Sequence, residues 1–155
     1  VEWLESREEI SARDFTTFRQ QTLALYQRSV RAVAAEAAAP CAFGHPALEA
    51  PGRWFGPCEA GRAAASGYGV AVDPRGYSVE YLGAAADGWA DGTGAMIVRI
   101  PGEAGAAFFE GSFSRGLPDG VVRVEEPGRK PRVRQFQAGK DRGAADVADL
   151  QAIRF

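Results

Sequence analysis

Between Ser11 and Pro40, apolar and neutral positions recur every three or four residues. Phe15, Phe18, Thr22, Leu25, Tyr26, Val30, Val33 and Ala37 thereby fall on one helical face. Ser11 can cap the first turn, Asp14 completes a capping-box-like pattern, and Pro40 disfavours further helix. The pattern predicts one long helix over residues 12–38. Ahead of it, VEWLESREEI sets Trp3, Leu4 and Ile10 among five charges and reads as a short helix or a docked arm.

From Pro51 onward the helical period disappears. Short β-prone runs take its place: GYGVAVDP, YSVEYLG, AMIVRIP, AFFEGSF, GVVRVEEP and RVRQFQAG. Between them stand Pro74-Arg75-Gly76, Asp87-Gly88, Pro101-Gly102, Arg115-Gly116, Pro127-Gly128 and Ala138-Gly139. Two kinds of turn alternate, which predicts a succession of hairpins rather than a sandwich.

The runs are related to one another. YLGAAADGWADGTG superposes on FEGSFSRGLPDGVVRV with Tyr81 on Phe109, Gly83 on Gly111, Gly88 on Gly116 and Gly92 on Gly120. Downstream, Phe136 aligns with Phe113, Gly139 with Gly116 and Gly143 with Gly120. Upstream, Trp54, Gly56 and Gly61 keep the first three offsets, and Gly67 and Gly69 then follow after what reads as two extra residues. Units starting at 54, 81, 109 and 132 thus cover residues 52–146.

The pattern Tyr-x-Gly-x-x-x-x-Gly-x-x-x-Gly-x-Gly resembles the membrane occupation and recognition nexus (MORN) repeat. Tyr81 to Gly94 matches each of its glycines, the unit from Phe109 has Val122 at the last, and the fourth keeps Gly139 and Gly143. The resemblance implies a single-layer stack of antiparallel hairpins with aromatics packed along it, acting in protein interaction or self-association, with membrane-lipid contact proposed for some members. The residues carry parallel reasons. Glycines 61, 88, 116 and 139 suit turns of positive φ, and Trp54, Tyr81, Phe109, Phe113 and Phe136 can stack from one hairpin to the next.

The expected class is therefore α+β, mainly β: an N-terminal arm, long helix and linker over 1–50, then a repeat sheet over 51–155. A one-layer sheet needs cover for its apolar face. The helix is expected either to supply it or to pair with a second copy or another protein.

Composition adds constraints. The 155 residues are 46% apolar and 25% charged, enough for one core. A net charge of −2 gives no reason to expect nucleic acid. Basic residues nevertheless crowd the last third: Arg123, Arg129, Lys130, Arg132, Arg134, Lys140 and Arg142. Arg132 and Arg134 alternate on a predicted strand beside Arg129 and Lys130, a candidate site for anionic lipid or an acidic partner. The competing reading is a charged strand that prevents edge-to-edge association, with Glu125 and Glu126 partly neutralising it.

Cys41 and Cys58, both preceded by proline, are the only cysteines; they lie at the junction of the helix with the glycine-rich part and are expected either to form one disulfide or to remain two buried thiols. A disulfide favours an oxidising compartment such as the bacterial periplasm. Sixteen arginines against two lysines also point towards a GC-rich bacterial coding sequence. The sequence opens on Val1 rather than methionine, which raises the expectation of a signal peptide or membrane anchor removed upstream.

The sequence carries no catalytic or ligand-binding motif of a familiar kind. There is no Gly-Lys-Ser/Thr triplet, and no strand passes through the glycines into a helix as a nucleotide loop requires. His45, the single histidine, lies in the linker CAFGHPALEAP with no second histidine for a metal site or triad. The carboxylate pairs Glu125-Glu126 and Asp87 with Asp91 read as solvated surface. No catalytic, cofactor or metal residues are expected. The expected function is a non-enzymatic scaffold or accessory subunit of a bacterial envelope assembly, binding a protein or itself through the sheet face or the helix. An anionic-lipid module and an exported inhibitor or immunity protein are the alternatives.

Overall fold

A computed structural model describes residues 41–146. They form eleven strands in one sheet: β1 (Cys41–Phe43), β2 (Gly52–Phe55), β3 (Cys58–Glu59), β4 (Arg62–Ala63), β5 (Ala65–Val72), β6 (Ser78–Ala86), β7 (Trp89–Arg99), β8 (Ala107–Ser114), β9 (Leu117–Glu125), β10 (Arg132–Gln137) and β11 (Lys140–Ala144). The order across the sheet is β11-β10-β9-β8-β7-β6-β5-β2-β1-β4-β3. This corrects the expected α+β class. The described residues are all-β and contain no helix, and the helix expected over 12–38 lies outside them.

Four two-residue turns close the hairpins, and both central residues of each have positive φ: Ala60-Gly61, Asp87-Gly88, Arg115-Gly116 and Ala138-Gly139. The non-glycine member stands at 49–52° each time, which is the I′ geometry whose twist matches that of paired strands. The turns also bond to one another. Gly88 N–H donates to the Ala63 carbonyl (3.0 Å), Gly116 N–H to that of Ala90 (2.8 Å) and Gly139 N–H to that of Pro118 (2.8 Å). Each acceptor lies two residues beyond the previous turn's glycine, so one hydrogen bond recurs at every junction. Donors that a free hairpin tip would leave to water are satisfied by the neighbouring hairpin.

Beyond the turns, cross-strand register produces two parallel rows. Gly67, Gly83, Gly94 and Gly111 are successive partners across β5, β6, β7 and β8, and the row ends at Val122 and Arg134. Beside it run Trp54, Gly69, Tyr81, Met96, Phe109, Val124 and Arg132. Large rings lean from the second row onto the glycines of the first. A Cβ on Gly94 would stand 2.5 Å from Tyr81 Cζ, and one on Gly67 would stand 2.7 Å from Trp54 Cζ2. The two rings are held alike: Trp54 Nε1 donates to the Pro57 carbonyl (3.0 Å), and Tyr81 Oη to that of Ala84 (2.6 Å), three residues on in each case. The offset from Trp54 to Gly67 equals that from Tyr81 to Gly94, so no residues are inserted in the first unit. Ala65, at a φ of 55°, takes the place of Gly92 and Gly120, which stand at 106° and 104°.

The segment after Cys41 crosses the hairpin tips as a strap. Ala42 N–H donates to the Gly61 carbonyl and Gly44 N–H to that of Gly88, both at 2.9 Å, and Pro46 lies over Gly116. Phe43 enters the aromatic row, its ring 5.4 Å from that of Trp54 and 5.9 Å from that of Tyr81, both stacked. Phe113 closes the group edge-on to Tyr81 at 5.4 Å. The strap is fastened at both ends. Cys41 and Cys58 form a disulfide, with Cα atoms 6.2 Å apart. At the other end Arg75 donates to the Ala47 carbonyl (2.8 Å) while its fork grips buried Asp73 (2.6 and 3.0 Å). Hydrogen bonds from Arg75 hold the Asp73 carboxyl below the usual carboxylate range.

On the reverse face, Tyr68 and Ile97 are buried beside half-buried Phe55, Val70, Leu82 and Phe108. Glu110 and Arg123 are cross-strand partners there, each 3% exposed, so Arg123 takes no part in a basic surface.

Gly94→Ala is expected to cost about 1–3 kcal/mol, because the methyl must displace the Tyr81 ring. Gly61→Ala, with nothing within 4 Å and only an unfavourable φ of 75°, should cost about 1 kcal/mol. Urea unfolding of the two variants compares close packing with turn geometry. Removing the disulfide with Cys41→Ser and Cys58→Ser together, which opens a loop of 17 residues, should lower stability by about 3 kcal/mol in the same measurement.

Candidate functional site

Where the strap ends, the apolar face of the sheet is open. A cavity of about 480 Å³ lies there, floored by Met96, Val98, Phe109, Val124 and Phe136 and walled by Ile100, Ala107, Leu117, Pro118 and Gly139. His45 stands at its strap end, and Glu126, Arg132 and Asp141 at its far end.

The groove follows from a departure in the repeat. Val122 holds the position that Gly94 holds beneath Tyr81, so the ring of Phe109 has no glycine to lie on. Phe109 is only half-buried, and it touches both the Trp54–Tyr81 cluster and the cluster of Val122, Val124 and Phe136. The aromatic residue that closes the first two units therefore becomes a groove wall in the third. In the fourth unit the equivalent place is Arg132.

Arg132 and Arg134 do share one face, as their alternation predicts, but both are engaged. Arg132 Nη2 donates to Glu126 Oε1 (2.6 Å), and Arg134 Nε to both oxygens of Asp141 (3.0 and 2.9 Å). Arg129 approaches Glu126 at 3.8 Å from its exposed loop, and Lys130 is exposed. Burial works to raise the Asp141 carboxyl, but the Gly143 N–H (3.0 Å) and Arg134 outweigh it and hold it low. One donor is left over: Arg132 Nη1 is buried without a hydrogen-bond acceptor.

His45 is less a linker residue than a corner post. It lines both this groove and a second cavity of about 370 Å³ between the strap and the Asp87-Gly88 turn. Its Nδ1 accepts the Ala47 N–H (3.1 Å), and burial lowers its pKa. Among the described residues no cluster of three metal-ligating side chains occurs. No helix among them is long and apolar enough to cross a membrane.

Of the expected framework residues, Trp54 and Tyr81 lie in one buried cluster with Phe113, and Phe136 lies in another. Gly56, Gly83 and Gly111 share φ values of 150–156°, and Gly61, Gly88, Gly116 and Gly139 occupy the four turns. Phe43 and Met96 went unrecognised in the sequence. Only the phase of Phe43, two residues after Cys41 in an alternating run, pointed to it.

Comparison of the chain with family models, curated proteins and solved structures gave no match. The likeness to MORN repeats therefore rests on the residues themselves.

His45 is expected to make stability depend on pH. Its folded pKa lies below the ordinary 6.5, so the unfolded chain takes up the proton first. Stability should be full above pH 6.5 and decline as pH falls from there towards the folded value, when Nδ1 can no longer accept from Ala47. His45→Gln should flatten this limb in urea titrations at successive pH values.

Proposed function

We propose that this protein is a non-enzymatic interaction module of the MORN-like repeat class that binds a protein partner through the groove on its sheet. The observation that carries the reading is the groove itself, an apolar concavity on the repeat sheet with charged groups at one end. Its lining offers apolar contact and a few hydrogen-bonding groups, as recognition sites do.

The proposed setting is the bacterial cell envelope, with the protein as a scaffold or accessory subunit. A disulfide is compatible with export to an oxidising compartment such as the periplasm. The anionic-lipid reading draws less support, because Arg132 and Arg134 already bind Glu126 and Asp141.

The test is site-specific crosslinking of the full-length protein in its native cells. A photoreactive phenylalanine analogue at Ile100, on the groove wall and 38% exposed, should give a discrete protein adduct. The same analogue at Val72, which is 58% exposed and outside the groove, should not. Absence of an adduct at Ile100, or identical adducts at both positions, would overturn the reading.

A further inference from the structure

We propose that residues 12–38 of this chain dock along the reverse face of the sheet, so that this face is occupied from within and closed to other partners. The groove opens on the opposite face, and the docking is independent of what the groove binds.

The first observation is burial that a single layer does not produce by itself. Register sets two rows on the reverse face. One runs from Phe55 through Tyr68 and Glu110 to Arg123, the other from Val70 through Glu80 and Ile97 to Phe108. A side chain in such a row has neighbours beside it but nothing above it, and a long or charged one keeps its far end in water. Tyr68 is nevertheless 1% exposed, Ile97 6%, and Glu110 and Arg123 3% each. The same strands mark where the burial stops. Two residues beyond Val70 and Ile97, on the same face, Val72 is 58% exposed and the Arg99 side chain 48%. A band is covered rather than the whole face. The burial occurs in one chain with no partner, so the cover belongs to that chain.

The second observation is where the chain has length to spare. Among the described residues none supplies this cover: the strands lie in one sheet, and the strap runs over the hairpin tips with Phe43 in the aromatic row of the front face. The rows reach from β2 to β9, five strand spacings or about 24 Å. Residues 147–155 leave from beside β10, where Ala145 N–H donates to the Val133 carbonyl. These nine residues reach about 30 Å only when drawn straight, too little chain to cross to β2 and still cover two rows. Residues 1–40 arrive instead at Cys41 on β1, beside β2, where the first row begins at Phe55. They have ample length, and Phe15, Phe18, Leu25, Val30 and Val33 form the one apolar stripe in that part of the chain long enough to match the band.

The test is photocrosslinking of the purified full chain. A photoreactive phenylalanine analogue in place of Phe108, half-buried at the far end of the second row, should give an adduct within a single chain, joined to a peptide from residues 12–38. Hydroxyl-radical footprinting supplies a second readout. Phe18→Asp together with Leu25→Asp should raise oxidation of Tyr68 severalfold and leave Tyr81, buried on the front face, as protected as before. Adducts that join two chains, adducts confined to residues 41–155, or no adduct at all would overturn the proposal. So would a Tyr68 that stays protected in the double variant. Where both tyrosines gain oxidation together the crosslink alone decides, since it leaves the docked segment unaltered.

Discussion

A ring can lie flat against a β-sheet only where the strand beneath carries no side chain. Trp54 and Tyr81 meet that condition over Gly67 and Gly94, and most of the ordered architecture follows from it. The rings bury themselves against their own hairpins, to 1% and 0% exposure, and so a single layer acquires an interior without a second sheet. Their polar ends are satisfied by nearby carbonyls, which fixes their tilt and leaves a slot between them. Phe43 from the strap fills it. Stacking between units thus depends on glycine within units, and side chains at those glycines would separate the rings from the sheet.

The strap uses the same surface in another way. It enters where Cys41 is bonded to Cys58, follows the row of turns, and ends where Arg75 holds the Ala47 carbonyl. Because the turns are bonded in series, it meets a carbonyl or a glycine at each step. Phe43 completes the core that Trp54 and Tyr81 begin, and the backbone of the strap occupies polar groups of the tips. The disulfide and the arginine latch confine the strap's ends, lowering the entropic cost of placing Phe43.

The groove begins where this arrangement lapses. Val122 interrupts the glycine row, Phe109 stands half out of the sheet, and the strap has already turned away at Pro46. The first units look inward, towards packing, while the last two present apolar floor and charge to the surroundings. Degeneracy of the repeat coincides with the surface to which we assign binding, a division of labour common where regular scaffolds carry irregular sites.

Much of this was legible in the sequence because it is local. A two-residue turn between β-prone runs needs positive φ, and dipeptides ending in glycine announce it; the spacing of Tyr81, Gly83, Gly88, Gly92 and Gly94 therefore read correctly as one hairpin unit. The alternation of Arg132 and Arg134 put both on one face for the same reason. Local patterns could not supply register between distant strands. Register aligned Gly67, Gly83, Gly94 and Gly111 into one row, opposed Arg123 to Glu110 on the reverse face, and paired the basic residues with Glu126 and Asp141. Nor could they show that a proline- and glycine-rich stretch, resembling a linker, lies across the turns with Phe43 in the core and His45 at the mouth of a groove. The sequence by itself determined the repeating hairpin, since backbone geometry at its turns permits few residues. Only the tertiary structure decided which apolar surface was consumed in packing and which remained open, because that depends on contacts between residues far apart in the chain.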